Sequence, residues 1–363
     1  MRGTKQKQVE ISGLFNIEDR IDATHPIREI KRQCDAALAA MSGHFDEIYA
    51  GHGRPSIPPE RLLKAKVLMA LYSVRSDRML CERLNYDLLF QWFLDMNPSE
   101  AAFDASTFSQ NQKRLIQNEV ADLFFAEVEE LARANHWVSN EHFTVNGTLI
   151  EAWASAKSFR PKSEPPQGPG AGNPWSEFAG KPRKNDTHAS TTDPEAKLVR
   201  KSDGDKARLC FGAHAVMENR NGLCVLLAVR NAVGEPESAV AVDGVLELRN
   251  RGFAPKSVGA DRGYHTETFI EELREEKIVP HPALMDSRHA RGVKRNATWR
   301  ASQKVRKRIE EIFGWMKTTG SFRKTRYRGI ARTHAAAQYV AAACNLVRMA
   351  KLMITAPPKM AGA

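Results

Sequence analysis

Residues 142–151 read His142-Phe143-Thr144-Val145-Asn146-Gly147-Thr148-Leu149-Ile150-Glu151, and at this point the pattern of the chain changes. Phe143, Val145, Gly147 and Leu149 alternate with His142, Thr144, Asn146 and Thr148, a period of two that predicts a half-buried strand with one apolar and one polar face. Upstream the period is helical. Ile57-Pro58-Pro59-Glu60 opens a helix with proline in its first turn, and Leu62, Leu63, Val67, Ala70, Leu71 and Val74 follow at helical spacing. Short helices are predicted over 77–84, 88–94, 106–116 (capped by Ser106 or Asp104) and 120–135. Joined by tight turns, and including Gln110-Asn111-Gln112-Lys113-Arg114, they suit a helix-turn-helix-like DNA reader or a plain helical bundle equally well.

Downstream, residues 155–205 are rich in Pro, Gly, Ser and Lys (Pro161, Pro165, Pro166, Pro169, Pro174, Pro182) and predict a long mobile loop. Segments 209–217 and 223–232 flank Asn221-Gly222, a hairpin signal, and should be antiparallel strands. A helix over 238–251, a short strand 257–260 ending at Asp261, a helix over 266–277 and a strand at 278–280 come next. Val305, Ile309, Ile312 and Met316 form one apolar helical stripe, and 333–354 is an alanine-rich helix packed on the body. The order β-β-β-α-β-α-β-α defines an α/β class. The expected organisation is an all-helical N-terminal domain (1–138), a mixed-sheet domain (139–354) and a tail (355–363).

Composition sets the frame around these elements. A length of 363 residues suits two or three domains, and 42% hydrophobic with 27% charged residues is ordinary for a globular protein. No apolar run suffices for a membrane span, and the polar start from Met1 to Gln8 lacks the apolar core of a signal peptide. Cys34, Cys81, Cys210, Cys224 and Cys344 are odd in number and scattered, fitting reduced cytoplasmic thiols. The net charge is +11, and residues 286–330 hold fourteen Lys/Arg, from Arg288 and Arg291 to Arg326 and Arg328, against Asp286, Glu310 and Glu311. One stretch thus accounts for the whole excess. Trp299, Phe313, Trp315, Phe322 and Tyr327 are interspersed in it, a pattern that suits nucleic acid better than a merely solvated face.

Three positions stand out for chemistry. Asn146 lies on the polar strand face, Asp261 ends a later strand before Arg262-Gly263-Tyr264, and Glu310 sits one helical step from the apolar stripe, with Arg306 and Lys317 at i−4 and i+7. Carboxylates on strand and helix with cations beside them are what metal-dependent phosphoryl transfer needs. Taken singly, Asp261 also suits a turn, Glu310 a surface pair with Arg306, and Asn146 a wet sheet face. His142, His265 and His281 lie near these motifs and read as structural groups or DNA contacts.

The blocks Phe143-Thr144-Val145-Asn146-Gly147-Thr148-Leu149-Ile150-Glu151-Ala152, Ala260-Asp261-Arg262-Gly263-Tyr264 and the run from Arg306 to Lys317 resemble the three motifs of the insertion-sequence-five family of DDE transposases. Residues 58–114 resemble that family's N-terminal helical domain. In the last block Arg306, Glu310 and Lys317 keep the spacing of the Tyr-Arg-Glu-Lys signature, with Gln303 in place of its Tyr. The resemblance implies an RNase H-like catalytic domain and Mg²⁺ or Mn²⁺, two ions, at a triad whose positions are Asn146, Asp261 and Glu310. It further implies cut-and-paste movement of DNA with terminal inverted repeats into a target DNA, by a homodimer on DNA in the bacterial cytoplasm at the nucleoid.

Arg306 and Lys317 would contact DNA near the scissile phosphate, and Lys307, Arg323 and Arg326 belong to the basic stretch that would hold the backbone. The first triad position departs from the family, which has Asp there. A carboxamide brings no charge and cannot bridge two cations, and Glu151, five residues on, falls on the other strand face. The expectation is a chain that binds transposon ends and cleaves them very poorly. A catalytically silent repressor or structural factor at those ends is the second reading, and an RNase H-like nuclease or resolvase that does not join strands is the third.

Overall fold

The computed structural model describes residue 2 and residues 16–49, 52–53, 55–163, 183–202, 204–284 and 292–355. Arg288, Arg291, Trp175 with the middle of the 155–205 segment, and positions 356–363 lie outside these. The first part is helical: α1 (Pro26–Ala40), α2 (Ser42–Ile48), α3 (Pro59–Leu71), α4 (Asp77–Arg83), α5 (Leu88–Phe93), α6 (Ala105–Gln117) and α7 (Val120–Ala134). Their starts follow from local chemistry. Pro59 takes the first turn of α3, where its missing N–H costs nothing, and Ser76 and Asp87 cap α4 and α5. Asp104, rather than Ser106, caps α6, its carboxylate accepting from the Ser106 N–H at 2.7 Å.

Strands and helices then alternate: β1 (His142–Glu151), β2 (Phe159–Pro161), β3 (His188–Ser190), β4 (Lys197–Val199), β5 (Arg208–Glu218), β6 (Cys224–Asn231), α8 (Glu237–Asn250), β7 (Ser257–Ala260), α9 (Glu267–Glu275) and β8 (Val279–Pro282). The chain continues with α10 (Ala297–Val305), α11 (Ile309–Lys317) and α12 (Ile330–Thr355). Two of the sequence expectations change here. The 155–205 segment is not a bare loop: β2 pairs with β3, and β4 joins the main sheet. Three-residue strands are too short to show a period. The stripe from Val305 to Met316 is likewise two helices, because Arg306–Arg308 tightens into a 3-10 turn between α10 and α11.

The main sheet is mixed. β1 runs antiparallel to β5 and β5 to β6, while β1 and β7, and β7 and β8, are parallel. With β1 between the hairpin-connected and the crossover-connected strands, this is the RNase H-like arrangement behind an all-helical N-terminal region. The hairpin turn is built by Glu218, which is fully buried and accepts from Arg220 N–H at 2.7 Å, Asn221 N–H at 2.9 Å and the Ser139 hydroxyl at 2.7 Å. Gly222 closes it at φ +72°, a conformation that favours glycine.

Both sheet faces are covered. Phe143, Val145, Val216, Val225 and Val258 meet α8 and α9 in one core. The opposite face, with Phe211, Ala213, Ala215, Leu227 and Ile150, shares one continuous core with α11, α12 and the N-terminal helices. All five cysteines are free thiols, four of them buried. Among the described residues no helix is long and apolar enough to cross a membrane.

The outer edge of β6 is closed by side chains of α12. His334 Nδ1 accepts from Val229 N–H at 3.1 Å, and Gln338 Nε2 donates to Leu227 O at 3.2 Å. Asn345 takes both groups of Cys224, accepting from its N–H at 2.9 Å and donating to its carbonyl at 2.7 Å. The spacing matches because eleven helical residues and five strand residues both span about 16 Å. Asn185 does the same to Leu198 of β4, at 2.9 and 3.0 Å. Asn345 is 2% exposed. Asn345→Ala should therefore strand two buried backbone groups and cost roughly 2–4 kcal/mol of stability in denaturant unfolding; a loss below roughly 0.5 kcal/mol would show that the edge does not need the amide.

Candidate functional site

The site forms where β7 ends beside the middle of β1, its parallel neighbour. Their ladder pairs His142 with Ser257, Phe143 with Val258 and Thr144 with Gly259. The ladder ends there, two residues short of Asn146 and Asp261; continued, the same register would bring those two positions opposite each other. Asn146 is half-buried, and its Oδ1 accepts from the Gly147 N–H at 2.9 Å. Asp261 is exposed and caps the turn after β7 through the Arg262 N–H at 2.6 Å. A cavity of 570 Å³ between α7, α8 and the sheet opens beside Asn146, with His214 and Tyr264 also in its wall.

The third position, Glu310, is exposed in the first turn of α11. Three cations tie that helix over the sheet. Arg306 Nη1 lies 3.5 Å from Asp261 Oδ1, and its Nε donates to Gln303 Oε1 at 2.8 Å, while Gln303 in turn donates to His281 O at 2.8 Å. Arg308 donates to Asn219 O at 3.2 Å, on the β5–β6 hairpin. Lys317 donates to the Thr148 hydroxyl, two residues past Asn146 on the same face of β1. The surface pair suggested by sequence for Arg306 and Glu310 is replaced by Arg306 with Asp261. Arg308 and Thr148 escaped the sequence reading because neither is set apart from its neighbours by type or spacing.

The remaining candidates separate. Lys307 and Arg323 are exposed. Arg326 is half-buried against the N-terminal helices, lining a cavity with Lys66, Phe108 and Tyr327. Lys317 is held below the ordinary lysine range by burial and by the nearby charges of Lys201 and Arg323. Glu151 is engaged by Arg208, as its place on the other strand face leads one to expect.

Close packing under α10 depends on Gly259. A Cβ there would lie 2.7 Å from Ser302 Oγ, 3.3 Å from Thr144 Oγ1 and 3.4 Å from His142 Nε2. His142 bonds Ser257 Oγ at 2.9 Å and lies 5.8 Å, ring to ring, from His281. Burial, with His281 beside it, pushes His142 down to about 4; burial and Arg230 do the same to His214. Between pH 6.5 and 4 the unfolded chain thus binds protons that the folded chain refuses, so stability falls with falling pH. Each histidine contributes on the order of 3 kcal/mol to that loss. Urea unfolding across this window should show the decline, shallower in His142→Gln; a flat profile would contradict it.

The oxygen donors Asp261 and Glu310 are of the type that a hard divalent cation takes. With a carboxamide at the first position the set is one carboxylate short, and among the described residues no three His, Cys, Asp or Glu side chains gather as a cation site.

Residues 15–114 match the family described as Transposase domain (DUF772), and residues 185–346 match the Transposase DDE domain. No curated protein matches the chain. Among solved structures it is distantly similar to a piggyBac transposase synaptic complex with hairpin DNA, at 9% identity and TM-score 0.39 over 90% of this chain and 74% of that one. It is also distantly similar to the Mos1 strand transfer complex, at 11% identity and TM-score 0.21 over 78% and 84%.

Proposed function

We propose that this chain, which carries a transposase domain and a transposase DDE domain, is an insertion-sequence transposase of the insertion-sequence-five type that binds terminal inverted repeats and is silenced in cleavage by Asn146. The observation that supports the reading is the parallel pairing of β1 and β7, which ends two residues short of Asn146 and Asp261, together with the contact of Arg306 with Asp261. In an intact site the reaction is hydrolysis at the transposon end, followed by attack of the freed 3′-hydroxyl on target DNA. Mg²⁺ or Mn²⁺ would activate the attacking oxygen and stabilise the leaving one. As written, the donor set does not fit a pair of ions, so the chain's own chemistry reduces to binding and positioning. Two copies, one on each end, are the assembly this function calls for.

On this reading the cations divide the work. Arg306 and Lys317 meet the phosphates next to the triad, and Lys307, Arg323 and Arg326 belong to the wider backbone contact. Arg306→Ala is expected to weaken binding to the element's ends about tenfold or more, the value of one charge-assisted contact, in a gel-shift titration. Lys184→Ala, on the surface before β3, should change it less than about twofold. Equal effects would mean that Arg306 serves only Asp261.

The second reading, a repressor or structural factor at the same ends, draws on the missing charge at Asn146. The two readings part on whether restoring that charge restores cleavage.

A further inference from the structure

The carboxyl end of β1 carries a feature that the triad does not use. Past Glu151 the chain continues Ala152-Trp153-Ala154, with both alanines buried and the indole of Trp153 51% exposed. The mounting is rigid. Ala152 N–H donates to Leu209 O at 2.8 Å, and residues 323–325 lie alongside as an added strand, Glu151 N–H donating to Arg323 O at 3.0 Å and Thr325 N–H to Glu151 O at 2.8 Å. That pairing brings Lys324 Nζ to 5.8 Å from the Trp153 ring centroid. Arg323 is exposed beside it, Lys317 follows at Thr148, and Lys201, at the close of the 155–205 segment, adds its charge to theirs. The nearby Glu151 carboxylate is already taken by Arg208.

Cations gathered around an exposed aromatic ring suit an unpaired nucleic-acid strand. In a duplex the bases are stacked on each other and offer an indole nothing, whereas an unpaired base presents a free face and its phosphates seek the cations. Trp153 is seven residues past Asn146, so its ring stands on the Glu151 side of the strand end and not on the Asn146 face. We infer that the carboxyl end of β1 is a landing track for an unpaired stretch of DNA strand, in which Arg323 and Lys201 hold phosphates and Trp153, with Lys324 on it, stacks a base. The inference rests on the DNA-binding reading above.

The test compares the full chain's affinity for a short blunt duplex and for the same duplex carrying a single-stranded oligothymidine extension, by fluorescence anisotropy. The extended DNA is expected to bind about five- to a hundredfold tighter, corresponding to stacking of roughly 1–3 kcal/mol per base. Trp153→Ala should erase that preference and leave blunt-duplex affinity unchanged, and Trp153→Phe should retain most of it. Lys201→Ala and Arg323→Ala should weaken the extended DNA more than the blunt one. Equal affinity for the two DNAs, or a preference that survives Trp153→Ala, overturns the track while leaving duplex binding standing. If neither DNA binds, the DNA-binding reading falls and the track with it.

Discussion

Asn146→Asp is expected to raise Mg²⁺-dependent strand cleavage, on DNA carrying the element's own ends, from near background by well over tenfold. Loss of a hydrogen-bonding partner of a metal ligand costs about 10–100-fold by itself, and loss of a charge that touches the metal should cost at least that. The register argument makes the direction firm. The parallel ladder of β1 and β7 ends two residues short of Asn146 and Asp261, so on continuation of that register a second carboxylate would stand beside the first, with Glu310 on the helix that packs over β1. In the present chain the only oxygen of the Asn146 carboxamide accepts the Gly147 N–H. The exchange is nearly isosteric, so the fold should be unaffected. Binding without cleavage by both chains would locate the defect elsewhere and favour the repressor reading. Cleavage by the unaltered chain would refute the argument from charge.

Binding to the same DNA should also be steeply salt-dependent. If about six phosphates are neutralised, log K falls with log salt at a slope of roughly −5, so raising salt from about 50 to about 200 mM should weaken binding roughly a thousandfold. The whole net charge of +11 is matched by one stretch, 286–330, and the described part of it holds Arg306, Lys307, Lys317 and Arg323 on or near the site face. A slope near zero in a salt titration would remove that stretch from the interface. Arg326, half-buried against the N-terminal helices, should contribute least to the slope.

The sequence disclosed the pieces of this site more readily than their assembly. β1 was legible because Phe143 to Thr148 alternate cleanly, and Asp261 because a short apolar strand ends on it. The hairpin was announced by Asn221-Gly222, and the helices by their apolar spacing and caps. What stayed hidden depended on contacts between distant residues. Nothing in the order of residues tells that the β1–β7 ladder runs toward positions 146 and 261, or that Arg306 reaches Asp261 across the gap between a 3-10 turn and a strand end. β2, β3 and β4 were invisible for another reason: three residues carry no period, and Pro and Gly around them argue for a loop. Likewise, His334, Gln338 and Asn345 read in sequence as polar interruptions of an alanine-rich helix, and only the strand beside them explains their spacing.

That last arrangement bears on how copies of the chain can associate. A strand at the margin of a sheet is an invitation to another strand, whether from a second molecule or a growing fibril. Here the β6 and β4 margins are already answered by amides and an imidazole from within the chain. The opposite margin is β8, four residues long with Pro280 and Pro282 in it, and proline has no N–H to offer. Neither margin accepts a visitor. If two copies pair on DNA ends as proposed, these margins of the described sheet leave side-chain surfaces or the DNA itself to join them.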